Sequence, residues 1–190
     1  MTLPRCTHAP QGAAARAAQA ICDRIPILET ERLILRAPQT RDFPTWAAIH
    51  AGDESGFIGG PTPADRAFSE FSVYIAGWLL HGHGLWAVER REDGQLLGFV
   101  HIGLEWEDYE PELGWMFSPE ARGQGYATEA ARAARDHALG LLGSGNVVSY
   151  VNAANAPSWR LAARLGAARD RATEAANDGD SQVWRHGGTA

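Results

Sequence analysis

The sequence contains no lysine: all 17 of its basic residues are arginines. A phosphate-binding loop of the nucleotide-hydrolase type requires Gly-Lys-Ser/Thr, so that class of protein is excluded. Acidic residues number 23, and the formal charge of −6 leaves no basic face that could displace counterions from nucleic acid. No apolar run approaches the roughly 20 residues of a membrane-spanning helix. The sequence therefore predicts no nucleic-acid partner and no membrane insertion.

Cysteine is also scarce, since only Cys6 and Cys22 are present. Two cysteines cannot supply a four-ligand zinc site, and a disulfide between them would constrain only the N-terminal tail. The histidines closest in sequence, His81 and His83, have no third ligand nearby, so we expect no metal site. A reducing cytoplasm is the simplest location for such a chain.

The length of 190 residues suits one well-buried domain. Residues 1–25 are rich in alanine and arginine, and Asp23 is their only acid. We expect this extension to be disordered or to form a short helix from Ala13 to Cys22, and to carry no chemistry. The ordered domain, residues 26–190, is expected to begin near Pro26.

Hydrophobic periodicity predicts strands and helices in the order βααβββαβαββ. The strands are expected at residues 28–36, 85–90, 96–104, 113–117, 146–151, 170–176 and 181–186, and the helices at 43–50, 63–80, 128–142 and 158–165. The early strands should pair antiparallel, whereas the strand reached through the helix at 128–142 should be parallel to its predecessor. The last hairpin would turn at 177–180. The predicted fold is mixed α/β, with a sheet of roughly six or seven strands flanked by about four helices.

Residues 112–134 combine a short apolar strand, a turn with two glycines and an alanine-rich helix. Glycines allow positive φ, and the helix adds its unpaired first-turn N–H groups and the positive end of its dipole. Such an arrangement suits a phosphate or a diphosphate. A dinucleotide fingerprint is excluded, because Thr128 stands where its last glycine is required. The alternative is a strand–helix turn that uses glycine only for its geometry.

The turn fits the pattern Arg/Gln-x-x-Gly-x-Gly/Ala through Arg122, Gly125 and Ala127, and it resembles the diphosphate loop of the GNAT acetyltransferase family. Further segments are similar to the branch of that family that includes the Rim-type ribosomal-protein N-terminal acetyltransferases. They are residues 30–36 (TERLILR), 112–115 (ELGW), 125–130 (GYATEA), and Asn152-x-x-Asn155-x-x-Ser158 with Arg164-Leu165-Gly166. The resemblance covers nearly all of residues 28–185, and the order and spacing of the segments make it specific.

This resemblance implies direct transfer of an acetyl group from acetyl-CoA to a primary amine, without a metal. The implied diphosphate contacts are the backbone amides of residues 123–127 (Gly123, Gln124, Gly125, Tyr126 and Ala127), together with the Thr128 hydroxyl and Arg122. In this family the strand before the loop splays from its parallel neighbour, and pantetheine pairs with the exposed edge. By resemblance that edge is Met116, Phe117 and Ser118, one of whose N–H groups would stabilise the oxyanion. Asn155 resembles the residue that hydrogen-bonds the pantetheine arm.

Three residues are candidates for the proton transfers. An attacking amine must be neutral, so a general base helps, and Glu112 is the first candidate and His101 the second. Glu112 could instead be a charge on the rim, and His101 a satisfied core histidine. Many relatives place a tyrosine on the second helix to protonate the leaving thiolate, but Trp159 occupies that helix here. Ser158 remains as the candidate acid, although it could equally cap the helix.

The acceptor site is less well defined by the sequence. Six residues could frame a pocket for a cation or could be core and solvated loop: Phe57, Ile58, Trp78, Glu105, Trp106 and Glu107. The candidate acceptors are a protein N-terminus, an amino sugar antibiotic or a small amine, and a homodimer is left open. The absence of lysine excludes regulation by acetylation of the chain's own lysines. A non-catalytic acyl-CoA-binding or sensor module is the alternative function.

Overall fold

The computed structural model of the protein describes residues 4–106, 108–176 and 181–187. In the N-terminal extension, residues 12–22 form helix α1 (Gly12–Cys22), which has no buried residue. The chain enters the core at Ile25, and the carbonyl of Pro26 accepts a hydrogen bond from the indole of Trp86. The division of the chain at residue 25 stays a prediction. None of the helices in the described ranges is both long and apolar enough to cross a membrane.

The centre of the molecule is a mixed sheet that has eight strands within the described residues. The strands are β1 (Leu28–Glu29), β2 (Leu33–Arg36), β3 (Leu85–Arg90), β4 (Leu96–Gly103), β5 (Glu112–Phe117), β6 (Val147–Asn152), β7 (Ala168–Arg169) and β8 (Ser181–His186). Their spatial order is β1-β2-β3-β4-β5-β6-β8-β7, and only β5 and β6 are recorded as a parallel pair in this part of the chain. The predicted mixed α/β fold is confirmed.

Five further α-helices lie within the described residues. They are α2 (Phe43–Ala51), α3 (Ala64–Leu80), α4 (Tyr126–Leu142), α5 (Ala156–Arg164) and α6 (Arg171–Ala176). The sheet's two faces carry separate clusters: α2 and α3 pack on Leu85, Ala87 and Phe99, whereas α4 and α5 pack on the alternating set that includes Trp86 and Val88. This division follows from the period of two along each strand. The buried alanines of α4, including Ala130 and Ala134, let that helix approach the sheet closely.

The parallel strands β5 and β6 separate soon after they begin. Within the described residues, Glu112 on β5 pairs with Val148 on β6, and the Val148 amide donates to the carbonyl of Pro111 at 3.0 Å. One residue further on, the Ser149 hydroxyl donates to the Leu113 carbonyl at 2.6 Å in place of a backbone bond. On its other side β5 stays paired with β4 from Glu112 to Phe117. The expected splay therefore opens toward the carboxyl ends of β5 and β6.

Two of the strand predictions are wrong, one in its extent and the other in its type of secondary structure. Residues 28–36 form two short antiparallel strands instead of one, because the Thr30 amide and hydroxyl bond locally to Leu33. Residues 170–176 form helix α6, not a strand. Asp170 starts that helix by accepting hydrogen bonds from the Thr173 amide at 3.1 Å and the Thr173 hydroxyl at 2.9 Å. The predicted turn at 177–180 lies outside the described residues.

Candidate active site

A cleft of about 1280 Å³ lies on the α2–α3 face of the sheet, where β5 and β6 separate. Five of the predicted catalytic and cofactor-binding residues line it: His101, Glu112, Met116, Asn155 and Ser158. They come from β4, β5 and the start of α5, so residues distant in sequence meet at the strand gap. The cleft has room for a substrate of considerable size as well as for the thioester that the strand gap would admit.

The glycine turn lies beyond the carboxyl end of β5 and leads into α4. Gly123 and Gly125 adopt left-handed φ values of 74° and 84°, which only glycine takes without strain. Gly125 is the N-cap of α4 and has no side chain to occupy the first-turn amides. Arg122 donates from Nε to the Phe117 carbonyl at 3.1 Å, and the Gln124 amide group donates to the Glu120 carbonyl at 2.7 Å. These contacts fix the conformation of the turn, and the amides of residues 123–128 lie at the N-terminal end of α4.

The backbone of β5 alternates between its two neighbours, and this alternation corrects the predicted pantetheine edge. The Ser118 amide donates to the Leu97 carbonyl at 3.0 Å, on the β4 side, so it is not free for the gap. By the strand period, the N–H and C=O of Met116 also point toward β4. The N–H and C=O groups of Trp115 and Phe117 face the gap instead. Phe117 was predicted from the sequence, whereas Trp115 was not. The absolute direction of a strand's amides cannot be read from its residue types, since it depends on the register.

Glu112 lies half-buried at the start of β5 with its side chain in the cleft. Burial raises its pKa to about 8, with further contributions from the carboxylates of Asp108 and Glu105. The backbone amide of Tyr150 partly offsets this rise. A carboxyl with this pKa is well matched to exchanging a proton with an ammonium group near neutral pH.

His101 is buried, with 4% of its surface exposed, and neither ring nitrogen has a hydrogen-bond partner among the described residues. It stacks on Tyr74 at a centroid distance of 4.3 Å and crosses over Gly114, where an added Cβ would lie 2.1 Å from the imidazole Cε1. Burial, with His50 nearby, lowers its pKa to about 3. His101 is therefore a neutral, weakly basic imidazole, which favours Glu112 as the base.

Asn155 and Ser158 meet at the N-terminus of α5. The Asn155 side chain accepts a hydrogen bond from the Ser158 amide at 3.3 Å, so Asn155 caps the helix and Ser158 lies in its first turn. Trp159 turns away from the cleft and stacks with Trp184 at 6.4 Å. A tyrosine is nevertheless present on the cleft: Tyr150 on β6, whose pKa is raised by burial and then by nearby carboxylates. The sequence identified Tyr150 only as a strand residue.

The predicted acceptor residues divide into two groups. Phe57, Ile58, Glu105 and Trp106 line the cleft, and Trp106 is fully exposed. Trp78 belongs to the core instead, because its indole donates to the Leu85 carbonyl at 2.9 Å and its ring meets Trp86 edge to face. Glu107 lies outside the described residues.

The wall beside Glu112 is acidic and aromatic. Glu105 and Asp108 both line the cleft, and Tyr74 donates its hydroxyl to Glu105. Burial and the neighbouring Glu105 raise the pKa of Asp108. Such a wall favours a cationic ligand. Among the described residues, no group of three His, Cys, Asp or Glu side chains could hold a metal ion.

Comparison with known proteins agrees with this geometry. A family model described as an acetyltransferase (GNAT) domain matches residues 32–168. The chain is 28% identical over 145 residues to the uncharacterised N-acetyltransferase YoaA of Bacillus subtilis, covering 74% of this chain and 82% of that protein. It is similar to the crystal structure of an acetyltransferase from Agrobacterium tumefaciens, with a TM-score of 0.79, 35% identity, and coverage of 85% of this chain and 94% of that chain.

A more distant structure shares the fold alone. It is RimL, a ribosomal L7/L12 alpha-N-protein acetyltransferase, in complex with coenzyme A, with a TM-score of 0.65 and 13% identity. The alignment covers 85% of this chain and 96% of that chain. The chain thus shares its fold with a Rim-type acetyltransferase.

Proposed function

Because the chain belongs to the GNAT acetyltransferase family, we propose that it transfers an acetyl group from acetyl-CoA to a primary amine by direct attack. The observation that carries the proposal is the cleft at the β5–β6 gap, with Glu112 on its wall and the α4 N-terminus beyond it. The acceptor is a small amine or a protein N-terminus. The cytoplasmic location stays a prediction that agrees with two free cysteines, and a homodimer stays open.

The diphosphate of acetyl-CoA is proposed to bind the amides of residues 123–127, with the Thr128 hydroxyl and Arg122 as further donors. Two features support this assignment. The positive φ of Gly123 and Gly125 turns successive amides outward, and α4 has no side-chain cap among the described residues. A Cβ at Gly123 would meet no atom of the described residues within 4 Å, so this side of the turn is open to a ligand.

The pantetheine arm is proposed to enter the β5–β6 gap and to pair with the backbone of Trp115 and Phe117. A gap-facing N–H group would then lie where the thioester oxygen gains charge, which is how a fixed donor stabilises a tetrahedral intermediate. The side-chain amide of Asn155 borders the same cleft and can bond the arm. Acetyl-CoA supplies the activated acyl group, and the protein supplies the position and the proton transfers.

In the proposed reaction the amine nitrogen bonds to the thioester carbon, and the carbon–sulfur bond then breaks. Glu112 takes the proton that the amine loses. The departing thiolate receives a proton from the Ser158 hydroxyl or from solvent, and a thiol with a pKa near 8.5 leaves readily enough that the acid is not essential. His101 stays neutral and supports the wall against which the amine rests.

A thiol-release assay with acetyl-CoA and a panel of primary amines tests the proposal. Release of free CoA that depends on the amine, with acetylated amine as the second product, is expected. Coenzyme A binding in calorimetry without release on any amine would instead support the acyl-CoA sensor and would overturn the proposed transfer.

A further inference from the structure

The cleft carries a further carboxylate, on α3, besides those of Glu105, Asp108 and Glu112. Glu70 on α3 lines it, with 31% of its side chain exposed. Tyr74, one helical turn further along α3, reaches Glu105 and lies close enough to Glu112 for their charges to interact. One turn of helix is about 5.4 Å, so Glu70 lies about one turn beyond the wall that faces Glu112.

A buried histidine lies beside Glu70. His50, with only 3% of its surface exposed, stacks on Trp46 at 4.5 Å and borders the cleft. Its Nδ1 is 3.5 Å from a Glu70 carboxylate oxygen, yet neither ring nitrogen forms a hydrogen bond with any described residue. Burial lowers its pKa to about 4, so the ring is neutral and keeps a lone pair for a donor.

Unpaired buried nitrogens are rare in folded proteins, and here both His50 and His101 have them on the border of one cavity. With the ring proton on Nε2, the Nδ1 lone pair faces the Glu70 oxygen 3.5 Å away, so two acceptors lie side by side without an N–H or O–H donor between them. A carboxylate is an acceptor only, so no rotation of Glu70 can supply this donor. An ammonium group bears three donors and a positive charge, and it would satisfy His50 and Glu70 together.

The charged side chains that line the cleft also favour a cationic ligand. Its lining contains the carboxylates of Glu70, Glu105, Asp108 and Glu112 but only one arginine, Arg66, among the described residues. Arg66 contacts Glu70 at 3.2 Å with 73% of its side chain exposed, so solvent screens that pair strongly. Apolar side chains, including Ile58 and Val73, also line the cleft and suit an aliphatic chain.

Resting on the proposed acetyl transfer, we propose that the acceptor is an aliphatic diamine whose reacting amine lies at Glu112 and whose second ammonium group binds between Glu70 and His50. A protein N-terminus has one ammonium group followed by peptide groups. It would therefore leave the unpaired nitrogen of His50 without a donor, and Glu70 with only the solvent-screened contact to Arg66.

The test compares putrescine with butylamine, which have the same carbon chain and differ in the second amino group. With acetyl-CoA saturating, kcat/KM for thiol release is expected to be about five- to tenfold higher for putrescine. Glu70→Gln should bring the ratio of the two kcat/KM values close to one. Arg66→Gln, which removes the competing cation, should keep the ratio or raise it.

The matched control is Asp65→Asn, another exposed acid on α3 that does not border the cleft, and it should leave the ratio unchanged. Equal kcat/KM for the two amines in the unmodified protein would overturn the diamine assignment, as would equal losses on both amines in Glu70→Gln. A short peptide with a free N-terminus that is acetylated faster than putrescine would also overturn it. Turnover of butylamine separates these failures from failure of the proposed function, which predicts release of CoA with some primary amine.

Discussion

Arg32 and Glu129, 97 positions apart in the chain, form a bidentate contact between the edge of the sheet and the first turn of α4. The Arg32 side chain donates from Nε to Glu129 at 2.7 Å, and the Arg32 backbone amide donates to the same carboxylate at 2.9 Å. The Thr30 hydroxyl adds a third hydrogen bond at 2.6 Å. The Arg32 guanidinium also donates to the Gln124 carbonyl at 3.1 Å and lies over the Tyr126 ring at 4.6 Å. The β1–β2 turn thus holds the glycine turn in position.

We expect Arg32→Gln to weaken coenzyme A binding, because the change removes both the Arg32–Glu129 contact and a positive charge beside the proposed diphosphate site. Calorimetry should show a Kd about three- to tenfold higher. Arg91→Gln is the matched control: Arg91 has the same 43% side-chain exposure, contacts Thr30 and Glu29, and forms no hydrogen bond or ion pair with the described residues of α4. Equal Kd values for the two variants would show that the Arg32–Glu129 contact is structural only.

Gly125→Asp should lower coenzyme A affinity more strongly, by at least about tenfold. The new carboxylate would repel the diphosphate, and its side chain would fill the surface at the head of α4. Backbone strain at φ 84° adds a modest loss of stability of about 1 kcal/mol. Gly94→Asp, at a β3–β4 turn glycine with φ 71° and open space around it, controls for strain and charge. Unchanged binding in Gly125→Asp would remove the glycine turn from the cofactor site.

The sequence predicted well those elements whose pattern is local. The strand, the glycine turn and α4 follow from the residue types, and so does the sheet with its crossover helix. Contacts that depend on the register between strands could not be predicted from the sequence. The pairing of β5 with β4 decides that the backbone groups of Trp115, and not the amide of Ser118, face the gap. Periodicity also could not separate Trp78, which packs on Trp86, from Trp106, which stands in solvent at the cleft.

The strand prediction for residues 170–176 failed for another reason, which is that a short segment can satisfy its backbone groups in more than one secondary structure. Residues 170–176 contain enough apolar positions for a strand, but Asp170 and Thr173 satisfy the first amides of a helix and decide the outcome locally. The Arg32–Glu129 contact and the place of Tyr150 on the cleft require the folded chain, because nothing in their local sequence indicates a partner.

The pH dependence of Glu112→Gln tests the proton transfer. A Glu112 carboxylate facing an ammonium group holds the same number of protons as a protonated Glu112 beside a neutral amine, so both describe one reactive state. This state forms as the pH rises through the Glu112 pKa of about 8 and is lost near the amine pKa of about 10.4. In Glu112→Gln only the neutral amine reacts, and its fraction rises about a hundredfold from pH 7 to pH 9, whereas the one-proton state of the unmodified protein rises only about tenfold. We expect Glu112→Gln to lower kcat/KM by on the order of a hundredfold at pH 7 and by roughly tenfold less at pH 9.

Glu92→Gln in the exposed β3–β4 turn serves as the control and should follow the unmodified protein at both pH values. If Glu112→Gln lost the same factor at pH 7 and pH 9, Glu112 would not be the base. His101 would not then become the better candidate, since its low pKa leaves it a weak base throughout this range.

The close approach of His101 to Gly114 yields the last prediction. Gly114→Ala places a methyl group 2.1 Å from the imidazole Cε1, in a strand that cannot move without breaking its pairing with β4. Urea denaturation should show a loss of about 1–3 kcal/mol in the free energy of unfolding. His101→Ala removes the clash, so Gly114→Ala should cost much less in that background, and the double-mutant cycle should give a coupling of at least about 1 kcal/mol. Gly140→Ala, in α4 with no atom within 4 Å of the added Cβ, should instead stabilise by about 0.5–1 kcal/mol. If the losses in the free energy of unfolding for His101→Ala and Gly114→Ala were additive, the imidazole would not occupy the space above this glycine. His101 would then not form the wall proposed for the amine.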